Sequence, residues 1–144
     1  MPIQFYFTDT TVSLLERKRL KLFIKSVFDK KERQLNFLTI IFCSDGYLLG
    51  INKQFLQHDY YTDIITFNLS EDVNIIEGEI YISVDRVRDN ALTNKVTVKQ
   101  ELHRVIFHGT LHLCGYLDKS IKAKKEMTYQ ENFSLERYFS LNLY

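Results

Sequence analysis

The apolar positions of this chain change period along its length, and each change marks a new element. Ile3 to Phe7 is a short apolar and aromatic run that reads as a strand. Asp9, Thr10 and Thr11 bring N-cap chemistry, and Leu20, Phe23, Ile24 and Val27 then recur at the 0, 3, 4 and 7 offsets of one helical stripe. That spacing predicts a helix over about 12–29. From Leu35 to Cys43 the period drops to two, with Leu35, Phe37, Thr39 and Ile41 alternating against Asn36, Leu38, Ile40 and Phe42. The far half of this run is apolar on both faces, which predicts a strand inside the sheet rather than at its edge. Ser44 or Asp45 can cap a second helix reaching about Gln57. Two more strand-like runs, Ile64 to Leu69 and Ile75 to Ser83, flank the acidic, turn-prone stretch from Ser70 to Asn74. A gap of that kind suits a hairpin, so part of the sheet should be antiparallel.

Val84 to Leu92 reads as a short helix, and Val98 begins the most regular one. Val98, Leu102, Val105, Ile106, Gly109 and Leu113 share one stripe; Glu101, Val105, His108 and His112 form the stripe beside it. The histidines therefore flank the core. Gly115 offers the stop, and Ser120 can cap a last helix through the aromatic-rich tail, where Leu135 and Phe139 pair at i, i+4. Helices and strands mix without strict alternation, which places the chain in the α+β class, a mixed sheet packed on helices. Across 144 residues the only proline is Pro2, and neither a Gly/Ser-rich run nor an internal repeat appears. One domain over 1–144 is expected.

A formal net charge of +1 argues against gripping nucleic acid by bulk charge, although a local basic face escapes the sum. Arg17, Lys18, Arg19, Lys21 and Lys25 crowd the first long helix, and Lys119, Lys122, Lys124 and Lys125 cluster after Asp118. The plain alternative is a solvated helix face. Cys43 and Cys114 form no CxxC pair and read as buried thiols of a reducing compartment. With neither a cleavable signal nor an apolar run of membrane-spanning length, a cytoplasmic protein is expected.

The densest chemistry lies between His108 and Ser120. Two histidines four apart on a helix lie one turn above the other, so both imidazoles can reach a single ion, and Asp118 follows the Gly115 stop closely enough to return as a third ligand. Three protein ligands with one position open describe a catalytic metal site. The competing reading makes His108 and His112 core-edge histidines and Asp118 a cap of the next helix. Gly109 stands where an HExxH peptidase keeps its general base, which disfavours that chemistry. A glycine inside a helix costs about 1 kcal/mol against alanine, so it calls for a packing or access reason. His103 lies roughly 140° around the helix from His108 and belongs at the surface or core edge. His58 reads as a solvated loop residue, and Cys114 points away from the histidines.

The segment His108-Gly-Thr-Leu-His112-Leu-Cys-Gly115-Tyr116 resembles the HGxLHLxGYDH signature of the YbeY family, metal-dependent endoribonucleases of bacterial rRNA maturation. Upstream, Asn52-Lys-Gln-Phe55 resembles its NxxY segment, Thr62 to Phe67 its TDVLSF strand, and Gly78 to Ser83 its GDIxIS strand. The resemblance implies a zinc-dependent, single-strand-specific endoribonuclease that processes the 3′ end of small-subunit rRNA, acts in ribosome quality control and meets the small subunit or its proteins. It implies metal ligation by His108, His112 and Asp118, with Thr62 and Asp63 shaping the substrate groove. Three departures stand out. Asp118 occupies the place of the family's third histidine, with Leu117 before it, and a two-histidine, one-carboxylate set also suits iron or another divalent metal. Leu56 replaces an arginine that suits a scissile phosphate, leaving Lys53, His58 or Arg104 to contact the backbone. Tyr61 replaces a proline. The alternative from another class is a non-catalytic ribosome assembly factor with a structural metal.

Overall fold

Alternation of strand and helix governs only the first half of the chain. The computed structural model describes residues 2–140, in the order β1 (Ile3–Phe7), α1 (Arg17–Lys30), β2 (Gln34–Cys43), α2 (Asp45–Leu56), β3 (Ile64–Asn68), β4 (Ile75–Ser83), α3 (Val84–Asn94), α4 (Val98–Leu113) and α5 (Ile121–Ser140). The sheet runs β1-β2-β4-β3. β1 and β2 pair in parallel, as do β2 and β4, while β3 returns antiparallel along β4 as the hairpin spacing predicts. The chain is thus α+β with a mixed four-stranded sheet. β2 lies between two strands, as its two-sided apolar half requires. The tail expected to continue the last helix passes beyond Ser140, outside the described residues.

One boundary differs from the periodicity. The first helix starts at Arg17 instead of Val12, and Glu16 at its N-cap has left-handed φ/ψ and makes no side-chain cap. Asp9 is committed elsewhere: its carboxylate accepts hydrogen bonds from the backbone N–H and hydroxyl of Ser44, tying the end of β1 to the start of α2. Residues 10–16 instead cross to the helix without regular structure, burying Leu14 on the way. The remaining helices begin on side-chain caps. The oxygens of Ser44, Ser83 and Thr97 accept from the third residue after each, and Ser120 caps α5 in the same way.

The main core joins one face of the sheet to α1, α3, α4 and α5. Leu38, Ile40 and Phe42 of β2 and Ile76, Ile80 and Ile82 of β4 meet Leu20, Ile24, Leu102, Ile106, Phe107 and Tyr138 there. Burying each large apolar side chain contributes roughly 1.5–3 kcal/mol. A smaller cluster of Cys43, Leu48, Ile51 and Ile65 seats α2 on the opposite face. Two glycines set the distance between α4 and the sheet. A Cβ on Gly78 would meet the Leu113 methyls at 3.0 Å, and one on Gly109 would meet Ile80 Cδ1 at 2.8 Å and Ile64 Cδ1 at 2.9 Å. This supplies the packing reason for a glycine inside the helix: α4 presses onto β3 and β4 closely enough to place its histidine stripe beside the edge strand.

The end of α4 is built to turn sharply. Gly115 takes φ +101°, its N–H bonds the carbonyl of His112 at 2.9 Å, and the Tyr116 N–H reaches back to Leu111 at 3.1 Å. That pair of bonds is a Schellman motif, and the positive φ suits glycine there. Arg33, just after α1, holds the turn from outside through Nη2 to the Cys114 carbonyl at 3.0 Å and Nη1 to the Val73 carbonyl.

Candidate metal centre and cleft

His108 and His112 leave α4 on its stripe beside the core, and the turn at Gly115 brings Asp118 back over them. His108 Nε2 lies 3.3 Å and His112 Nε2 3.4 Å from the same oxygen, Asp118 Oδ2, and the ligand atoms of all three residues lie within 4.8 Å of one another. For bonds of about 2.0–2.1 Å in a tetrahedral zinc site, neighbouring donors stand about 3.3 Å apart. The spacing therefore fits a single ion, and the donor set of two imidazoles and one carboxylate is one that zinc or iron accepts. All three residues are partly exposed, so the group opens to solvent.

The triad forms one end of a cavity of about 450 Å³. β3 and the segment before it line one wall with Thr62, Asp63, Ile64, Thr66 and Asn68; α4 contributes Glu101, Arg104, Val105 and Leu113, and α5 adds Glu131. The strand residues reach this wall because Ile64, Thr66 and Asn68 share a face at period two, while Ile65 packs toward α2.

Carboxylates dominate the electrostatics. His108 Nδ1 donates to Glu131 Oε2 at 2.6 Å. Burial alone would lower the His108 pKa, but that hydrogen bond and the charges of Glu131, Asp118 and Asp63 outweigh it and hold the imidazole above its usual range. Burial raises Asp63 above the ordinary carboxylate range against the pull of His108, and its side chain meets Asn90 Nδ2 at 3.5 Å. Glu101, 3% exposed, is likewise raised by burial. Its Oε1 sits 3.6 Å from Arg104 Nε, beyond hydrogen-bond length. Arg104 turns Nη1 to Glu131 Oε1 and Asn132 Oδ1, each at 3.2 Å.

Of the residues singled out in the sequence, His108, His112, Asp118, Thr62, Asp63 and Arg104 meet at this cavity. Lys53 does not line it; the ammonium instead pairs with Asp59 at 3.3 Å on the exposed end of α2. His58 is exposed and stacks on Tyr60, and Leu56 ends α2 at 39% exposure. Cys114 lies in the core, where burial pushes its thiol up to about 11. His103 goes further inward than its expected place at the core edge: it is buried against Phe107, Tyr138 and Phe139, with Nδ1 2.7 Å from the Lys99 carbonyl. The sequence reading missed Glu131, which lies on another helix 23 positions from His108. Its signal was a carboxylate between Met127 and Leu135 on the buried stripe of α5, a place where an acid needs a partner.

These features define an α+β protein with a histidine–carboxylate group able to hold a metal ion at the end of a buried helix. Over residues 5–139 the chain matches the family described as Endoribonuclease YbeY. It is 50% identical over 133 residues to the Endoribonuclease YbeY of Cytophaga hutchinsonii, covering 92% of this chain and 93% of that one, and 43% identical over 135 residues to that of Parabacteroides distasonis, covering 94% of each. The solution structure of TM1509 from Thermotoga maritima superposes with a TM-score of 0.67 at 28% identity, over 96% of this chain and 89% of that one. The chain belongs to the YbeY family.

Proposed function

We propose that this protein is a metal-dependent endoribonuclease that cuts unpaired RNA in the maturation of small-subunit rRNA, at its 3′ end, and in ribosome quality control. The convergence of His108, His112 and Asp118 on one point beside an open cleft carries the reading. Family membership supports the reaction class, since the curated relatives bear the name endoribonuclease. The three residues hold one divalent cation, zinc by preference, with iron compatible with the same donors. When bound, such an ion supplies Lewis acidity toward a phosphoryl oxygen and lowers the pKa of coordinated water.

The chain's own residues do the rest. Thr62 and Asp63 wall the groove where a flipped-out nucleotide enters, and Arg104 stands on the opposite side for the phosphate backbone. Lys53, paired with Asp59 outside the cavity, meets only RNA that extends beyond it. Unpaired RNA fits because its bases can be splayed into such a groove. The working unit is a single domain over 1–144, cytoplasmic, acting on the ribosomal small subunit; among the described residues no helix is long and apolar enough to cross a membrane.

One observation favours a second reading, a non-catalytic assembly factor with a structural metal. Leu56 replaces the family's arginine, and the guanidinium of Arg104 is already engaged by Glu131 and Asn132. Incubation of the zinc-loaded chain with single-stranded and structured RNA separates the two. Cleavage abolished in a folded His112→Ala variant supports the nuclease. RNA binding with no cleavage by the wild-type chain supports the factor and defeats the nuclease.

A further inference from the structure

We propose that Glu131 is a positioning residue for the metal centre: it locks His108 as the Nδ1–H tautomer, presents Nε2 as the donor, and ties α5 to metal binding. The inference rests on the reading that His108, His112 and Asp118 hold a divalent cation. A carboxylate only accepts hydrogen bonds, so at 2.6 Å from Glu131 Oε2 the His108 Nδ1 must carry the proton. With Nδ1 committed, the lone pair of the neutral ring falls on Nε2, the atom that faces Asp118. A carboxylate behind a ligating histidine also makes the ring a stronger donor.

Glu131 is itself fixed. It is 8% exposed, and Arg104 holds its other oxygen at 3.2 Å. A buried ion pair is seldom retained for stability alone, because apolar residues of similar size usually serve as well. Here the carboxylate spans two helices and points its second oxygen at a metal-ligand candidate. His112 has no counterpart: among the described residues no hydrogen bond reaches its Nδ1, and its side chain is 29% exposed against 19% for His108. The two imidazoles are thus unequal: one is hydrogen-bonded to α5, and the other meets Asp118 and the His108 ring. Metal binding and the docking of α5 strengthen each other by linkage, since the ion favours the arrangement in which Glu131 is seated.

Zinc titration of the full chain against a chromophoric chelator tests this without reference to activity. Glu131→Ala should weaken zinc binding by about 10–100-fold. Glu131→Gln, which keeps the shape and one acceptor oxygen but not the charge, should lose a smaller part. Nitrogen-15 spectra of the metal-free chain, above the pH where the ring is neutral, should show Nδ1–H at His108 in wild type and the Nε2–H preference of free imidazole in Glu131→Ala. If Glu131→Ala misfolds, the affinity of Glu131→Gln carries the test. Affinities unchanged within twofold in the folded variants, while His112→Ala still weakens zinc, would leave the metal site standing and overturn the role of Glu131. A wild-type chain that binds no zinc would remove both.

Discussion

Helix α4 carries His103 and His108 five residues apart, and the two sides of that helix have made opposite use of the same side chain. His103 sits among Phe107, Tyr138 and Phe139, where burial lowers its pKa despite the bond to the Lys99 carbonyl. His108 is less deeply placed, and although burial pulls its pKa down as well, Glu131, Asp118 and Asp63 raise it. Burial pulls both pKa values down; the carboxylates around His108 reverse the sign there. An aromatic wall favours the neutral ring, and an acidic one favours the charged ring.

Three experiments probe that contrast, beginning with the largest effect. Asp118→Ala should take zinc from one equivalent to well below it, whereas His103→Phe should leave the content untouched. Asp118→His should retain zinc or bind it more tightly. Elemental analysis of the purified chains decides this, and full occupancy in Asp118→Ala would remove Asp118 from the ligand set. Next comes Gly109→Ala, next in sequence to His108. The new methyl gains about 1 kcal/mol of helix propensity but must displace Ile80 and Ile64, and overpacking of that kind costs about 1–3 kcal/mol. A net loss of up to about 2 kcal/mol in urea unfolding is expected; a stabilised variant would show that α4 does not press on the sheet as described.

The smallest effect concerns pH. The folded pKa of His103 is depressed below its ordinary 6.5, so above that value neither state binds the proton and His103 adds no pH dependence. As pH falls below 6.5 the unfolded chain takes up the proton first, and stability drops until the folded pKa is passed. His103→Phe should flatten that part of the wild-type stability profile, measured by denaturant titration at several pH values. An unchanged slope would place His103 in water instead of the aromatic cluster.

Periodicity carried most of the fold. The strands, the hairpin and the stripe of α4 were legible because burial leaves a local pattern: a period of two or 3.6 where one face is covered, and an unbroken apolar run where β2 is covered on both. The start of α1 was not, since Asp9 has the chemistry of a cap but bonds Ser44, a residue 35 positions away. The same limit applies at the cleft. His108, His112 and Asp118 lie within eleven residues and could be read together. Glu101 shares the histidine stripe of α4 and was legible with it, whereas Glu131 enters through the packing of α5, which no local spacing encodes, and Lys53 pairs with Asp59 outside the cavity. The contacts of Arg104 with Glu131 and Asn132 likewise depend on how α5 packs against α4.

Arg33 gives the turn at Gly115 a wider meaning. One guanidinium staples the carbonyl of Cys114 to that of Val73 in the β3–β4 loop, so a residue more than eighty places upstream of Asp118 braces the turn that precedes it. The turn that returns Asp118 to the two histidines is thereby tied to the hairpin loop between β3 and β4. A displacement of that loop would therefore bear on the turn at Gly115 through a single side chain, Arg33.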